Sequence, residues 1–207
     1  MKIIITFIIL LFLPKFLNAE TYYENYGKIV LKGSRFSGEP VNTSSGKDFG
    51  VLEINPKLNI EHNNIDLNLE LIIKKISSKR DVFYDIKEAN VNFEKSTWGF
   101  LLGSTEEFWG KTETFNPVDI INSNNYDEGL SKQNKLGEAM IKANREIGIG
   151  DLSIYYLPYF RPNKYPSKKS RLSLPIEIND NEANYVNGAD KNMQQFALRF
   201  SGYYEDL

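Results

Sequence analysis

From Leu52 the residues Leu52, Ile54, Leu58 and Ile60 are apolar, and Glu53, Asn55, Lys57, Asn59 and Glu61 between them are polar. Side chains of a strand point alternately to its two faces, whereas a helix repeats every 3.6 residues or about that, so this pattern specifies a strand with one apolar and one polar face. The next segment changes parity and repeats it, with Ile65, Leu67, Leu69, Leu71 and Ile73 against Asp66, Asn68, Glu70 and Lys74. Between them Glu61 to Asn64, EHNN, makes a tight hairpin connection. A chain of such segments must cover a whole apolar face, and what covers it decides what the protein is.

The alternation continues through Val82, Tyr84 and Ile86 and then slips in phase to Ala89, Val91 and Phe93, which predicts a β-bulge near Lys87 and Glu88. Further strands are predicted at Trp98, Phe100 and Leu102, at Leu152, Ile154, Tyr156 and Phe160, and at Phe196, Leu198, Phe200 and Tyr204. Gly27 to Gly33 is short but strand-like. Leu136 to Ile147 fits two periods: Ala139, Ile141 and Ala143 alternate, while Leu136, Met140, Ala143 and Ile147 fall at helical spacing. Its place in the topology assigns it as a strand, against a small helical propensity.

Eight strands result, and their connections alternate in length. Those after the first, third, fifth and seventh strands are longer than their neighbours, with Ser104 to Lys135 and Arg161 to Asn192 the longest. Short turns at one end and long loops at the other are the mark of an up-and-down outer-membrane barrel.

The first residues set the compartment. Lys2 precedes an apolar run from Ile3 to Leu13, too short for the roughly 20 residues a spanning helix needs. Residues 1–19 therefore read as a cleavable signal peptide and residues 20–207 as one β-barrel domain. The chain has no cysteine, so an exported fold must be stabilised by a large core, by closure of a sheet or by a membrane. With 25 basic and 27 acidic residues, and Lys2 and Lys15 lost with the leader, the balance is mildly acidic and argues against nucleic acid as a partner.

Alternation alone does not say which face is inside. A soluble barrel with an apolar interior and a membrane barrel with a polar lumen give the same pattern. Three features favour the membrane barrel. Aromatic residues gather at strand ends (Tyr22, Tyr23, Tyr26, Trp98, Tyr155, Tyr156, Tyr159, Tyr203, Tyr204), as interfacial girdles do. The polar faces mix acids, bases and amides, and loops of about thirty residues are uncommon in a compact soluble domain.

The stretch Asp85 to Phe93, DIKEANVNF, leads through a short turn and a strand to FWGKTETFNPVDIIN, Phe108 to Asn122. This succession resembles a porin-like outer-membrane family related to alginate-export-type barrels. Glu88, Gly103, the pair Trp109 and Gly110, and Asn116, Pro117 and Asp119 stand at the matching positions, and Leu157 to Pro162, LPYFRP, fits the family's strand running into a Pro-containing loop. The likeness covers about residues 85–162. The family usually carries a basic or amide residue after the strand glycine, where this chain has Ser104, Thr105 and Glu106. The resemblance implies a barrel of more than eight strands and no particular substrate.

The expectation is thus an all-β, antiparallel up-and-down transmembrane barrel in the outer membrane of a Gram-negative bacterium, with the first and last strands as unpaired edges and the chain as the N-terminal portion of a larger barrel. Its partners would be outer-membrane lipid and a small solute that the sequence does not identify, as it does not identify an oligomeric state. Glu106, Glu107, Trp109, Lys111, Glu113 and Asp119 are candidates for a loop folded into the pore. Lumen-facing candidates are Glu53, Lys57, Asp66, Glu70, Glu88, Glu138, Lys142 and Arg199.

Catalysis, cofactors and metals find no support in the sequence. The single histidine, His62, falls in a hairpin turn without a nucleophile motif, and Asn179 to Asp190 lacks the spacing of a calcium loop. The alternative is a soluble exported barrel that binds an apolar ligand inside.

Overall fold

The computed structural model describes residues 21–39, 46–79, 81–109, 120–129, 134–176, 178, 185 and 192–202. The leader, the loop residues Gly110, Lys111, Glu113, Asn116, Pro117 and Asp119, and the terminal Tyr203 and Tyr204 lie outside them.

Ten strands form in chain order: β1 (Thr21–Arg35), β2 (Asp48–His62), β3 (Ile65–Ile76), β4 (Val82–Lys95), β5 (Trp98–Thr105), β6 (Asn124–Asn125), β7 (Asn134–Lys135), β8 (Glu138–Glu146), β9 (Gly150–Leu157) and β10 (Gln195–Gly202). Eight of them make one antiparallel sheet in the order β1-β2-β3-β4-β5-β8-β9-β10, and β6 with β7 forms a separate short pair inside the long loop after β5. β1 and β10 are the two edges, and neither pairs with the other among the described residues. The segment of mixed periodicity is the strand β8, because pairing with β5 on one side and β9 on the other satisfies its backbone.

Local chemistry explains the connections. Asn63, at φ +51°, begins a two-residue turn between His62 and Ile65, and Ser96, at φ +56°, begins the equivalent turn between Lys95 and Trp98. Asn is among the few residues with a side chain that tolerates such a backbone. The phase slip is a bulge: Glu70 pairs with Glu88 but Leu71 pairs with Ile86, so Lys87 is the extra residue in β4. β1 starts earlier than the sequence indicates, because the non-alternating TYYENYG lies in continuous register along Pro56 to His62 of β2.

The two faces divide as the alternation requires, and the apolar face is the open one. Ile29, Leu31, Tyr84, Leu102, Ile154 and Phe196 are exposed on it, from 53% for Ile154 to 82% for Leu31. On the other face, buried polar and charged residues outnumber buried apolar ones among the described residues. Two small apolar clusters sit on that polar face near the long loops. Phe49, Val51 and Ile76 pack with Phe36 and Leu172, and Ile121, Met140, Tyr155 and Leu157 pack with Leu101, Trp109 and Ala197.

The aromatic grouping needs correction. Tyr22 and Tyr26 pair with Glu61 and Lys57 on the polar face, and Lys57 Nζ lies 5.7 Å from the Tyr26 ring. Tyr155 is fully buried on that same face. Strand parity decides this, since each of the three sits one residue from an apolar-face position. Tyr23, Trp98 and Tyr156 are on the apolar face, where Trp98 stacks on Phe100 at 5.9 Å and Tyr156 packs against Phe196 at 5.0 Å.

Candidate functional site

All eight strand candidates, Glu53, Lys57, Asp66, Glu70, Glu88, Glu138, Lys142 and Arg199, lie on the polar face. Parity alone brings them there. The structure adds a row of neutralising contacts. Glu70, 4% exposed, sits between Lys57, with which it is ion-paired, and the bulge residue Lys87, 3.9 Å away. Lys87 in turn holds Glu106 at 2.6 Å. Beside this row runs an amide ladder: Asn68 Nδ2 and Asn92 Nδ2 each donate to Asn90 Oδ1 at 3.1 Å, and Asn90 Nδ2 donates to the Ser104 carbonyl at 3.1 Å.

The loop after β5 folds over this face. Glu107 accepts hydrogen bonds from Lys142 Nζ at 3.0 Å and from the Tyr155 hydroxyl at 2.9 Å, with Arg199 Nη1 at 3.7 Å. Trp109 packs on Tyr155 with ring centres 5.2 Å apart, and the Arg199 guanidinium lies 5.6 Å from the Trp109 ring. Asn122, 3% exposed, locks the base of the loop: its amide donates to the Thr105 and Leu136 carbonyls at 2.8 and 2.9 Å, and its oxygen accepts from the Glu107 N–H at 2.8 Å. Of the six loop candidates, then, Glu106, Glu107 and Trp109 are brought onto the polar face. Both carboxylates are matched by cations from the strands, so this part of the loop carries little net charge. Lys111, Glu113 and Asp119 are outside the described residues.

Further along, the same loop reaches the β1–β3 end of this face. Asp127 pairs with Lys79 at 2.6 Å, and Glu128 is held between Lys32 of β1 and Lys74 of β3, both at 2.8 Å. Lys74 also pairs with Glu53 at 2.9 Å. The loop after β9 joins in. The Tyr126 N–H donates to the Lys164 carbonyl at 2.7 Å, the Lys164 N–H to the Asn124 carbonyl at 2.8 Å, and Tyr126 stacks on Tyr165. The two long loops are stitched into one layer over the polar face.

Toward the tight turns the face stays open. A groove of about 410 Å³ lies there, bordered by Asn92, Lys142, Asn144, Ser153, Tyr155 and Arg199. Its lining of amides, hydroxyls and paired charges offers hydrogen bonds of both senses to a small polar solute.

Sequence reasoning missed Asp127, Glu128, Asn122 and Tyr155. Strand parity already put Tyr155 opposite Tyr156 and could have found it. No periodicity marks the other three, which lie in irregular chain. No family model, no curated protein and no solved structure matches the chain. The fold therefore defines the class: an all-β chain of antiparallel up-and-down strands in one sheet, with its polar face covered by its own long loops.

Proposed function

We propose that the chain forms the wall of an outer-membrane β-barrel, exported by its signal peptide, and passes small polar solutes along its polar face. The observation that carries the reading is which face the protein leaves open. Apolar side chains stay exposed from β1 to β10, while the charged face receives the loops, the ion pairs and the buried polar groups. A soluble monomer rarely exposes a contiguous apolar patch larger than about 600 Å². Lipid would cover such a face without any further protein. The alternative, a soluble barrel with an apolar ligand inside, calls for the loops and buried groups on the opposite face.

Strand lengths agree with the proposal. The eight strands of the sheet run from 8 to 15 residues, which brackets the roughly 9–11 that cross a bilayer at a tilt. The loop layer would narrow the passage, with the groove beside Lys142, Tyr155 and Arg199 as its open part. Because Glu106 and Glu107 are matched by Lys87, Lys142 and Arg199, the passage would prefer cations only weakly.

The test is fractionation followed by recording. The full-length protein should need detergent for extraction, keep its β-sheet signature when heated in it, and give conductance in a planar bilayer. Replacing Glu106, Glu107 and Glu113 by Gln and Asp119 by Asn should then shift the reversal potential toward anions. Release by osmotic shock alone sinks the barrel reading, and an unchanged reversal potential puts the loop outside the path.

A further inference from the structure

The sheet has a step in it. β1 to β4 run 12 to 15 residues, whereas β5, β8, β9 and β10 have 8 or 9. β5 pairs with β4 only from Ala89 to Lys95, so residues 82–86 and Glu88 of β4 are paired on the β3 side alone. Beside that stretch stand Gly137 and the segment after β9. Gly137 approaches so closely that a Cβ on it would lie 2.1 Å from the Ile86 carbonyl oxygen. Arg161 fills the remainder, pairing with Asp85 at 2.6 Å and donating to the Gly137 carbonyl at 2.6 Å.

A crevice of about 820 Å³ occupies the step, within the roughly 300–1,000 Å³ typical of ligand pockets. Leu71, Tyr84, Ile86 and Ala139 of the apolar face line it together with Asp85 and Glu138 of the polar face. Residues of opposite faces line one cavity where the sheet between them is interrupted. Asp85 is compensated by Arg161. Glu138 is 4% exposed, and it shares the charge of Arg161 with Asp85, which holds the guanidinium in direct contact. Two buried carboxylates that share one guanidinium are undercompensated, and a ligand cation would offset that cost.

We infer that this crevice binds a single-chain amphiphile with an ammonium head, its alkyl chain against Leu71, Tyr84 and Ile86 and its head on the Glu138 carboxylate. Two carboxylates against one guanidinium make the floor acidic, which disfavours an anionic head. The crevice opens onto the exposed apolar face, so an alkyl chain reaches it without crossing polar surface. The site rests on the step in the sheet and on its two carboxylates, and does not depend on the protein conducting.

The experiment uses the full chain in phosphatidylcholine nanodiscs and dodecylamine carrying a diazirine at its alkyl end, with labelled peptides mapped after irradiation. Labelling should concentrate on the Leu71, Tyr84 and Ile86 peptides over the equally open Ile154 and Leu198, and unlabelled dodecylamine should compete where dodecyl sulfate does not. Glu138→Gln should cut it about tenfold, the worth of one charge-assisted hydrogen bond. Ile86→Trp, at a position 51% exposed and so harmless to folding, should block it by filling the crevice. Labelling spread evenly over the apolar face, equal competition by dodecyl sulfate, or labelling that survives both variants overturns the proposal.

Discussion

Glu128 gives the sharpest test of the loop layer. Its side chain is 4% exposed and held by Lys74, also 4% exposed, and by Lys32, 39% exposed. Removing one partner of a buried ion pair costs about 3–5 kcal/mol when the other is left uncompensated. Glu128→Gln falls short of that limit for two reasons. Lys74 keeps Glu53 at 2.9 Å, and Lys32 is open enough to turn toward water. Exposed pairs are worth about 0–1 kcal/mol, so the Lys32 share is small and the total comes to about 2 kcal/mol.

That loss is local, because Glu128 fastens a loop to strands that pair without it. It should appear as faster amide exchange at Tyr126, Asp127 and Gly129, whose N–H groups donate within the loop layer at 2.7, 3.0 and 2.8 Å. At about 1.4 kcal/mol per tenfold, 2 kcal/mol is a roughly 30-fold acceleration. The paired amides of β2 and β3 should stay as they were. Glu39→Gln breaks the exposed Lys47–Glu39 pair and should change nothing measurable. Exchange at Tyr126 to Gly129 within threefold of wild type in the Glu128→Gln protein would refute the argument that this pair holds the loop down.

Three other outcomes follow from the geometry. Gly103→Ala, at φ +135° and with a Cβ 2.2 Å from the Ala89 carbonyl oxygen, should cost about 2–4 kcal/mol of stability by denaturant titration in detergent, while Gly33→Ala, with open space around it, should be neutral. Tyr155→Phe removes a hydrogen bond to a charged group, about 1.5–3 kcal/mol, and in a Trp98→Phe background the Trp109 emission should move toward that of a solvated indole; an unmoved spectrum means the loop does not depend on Glu107. Deleting Lys87 joins Ile86 to Glu88 and restores unbroken alternation, so residues 82–86 should keep their faces, Asp85 should keep Arg161, and only the Lys87–Glu106 pair should be lost, leaving the refolding yield in detergent near that of wild type; a collapse of the yield would mean that the twist of the bulge itself is needed.

Most of the sheet was legible because strand parity is a local property. The eight long strands, the bulge at Lys87, the strand at Glu138 to Glu146 and the edge positions of β1 and β10 follow from which residues alternate and which connections are short. What parity does not report is where a long loop lies. Phe49, Val51, Ile76, Met140 and Leu157 are apolar residues on the polar face, and they read as breaks in the pattern until Leu172 and Ile121 are seen packed against them.

The same reasoning explains why the charges were harder to read than the strands. Parity sends Lys32, Lys74 and Lys142 to one face, but each needs an anion there, and the strands alone do not supply enough at the right height. The partners come from loop residues far off in sequence: Glu128 is 96 residues from Lys32 and 54 from Lys74, and Glu107 is 35 from Lys142. Such pairs form only once the sheet exists to present the lysines. The loop layer is therefore a consequence of the sheet, fastened to it mainly by charge at one side and by Trp109 and Ile121 on Tyr155 at the other. A layer attached in this way can loosen without unfolding the strands beneath it, because the attachment points among the described residues are side-chain contacts and not rungs of the sheet.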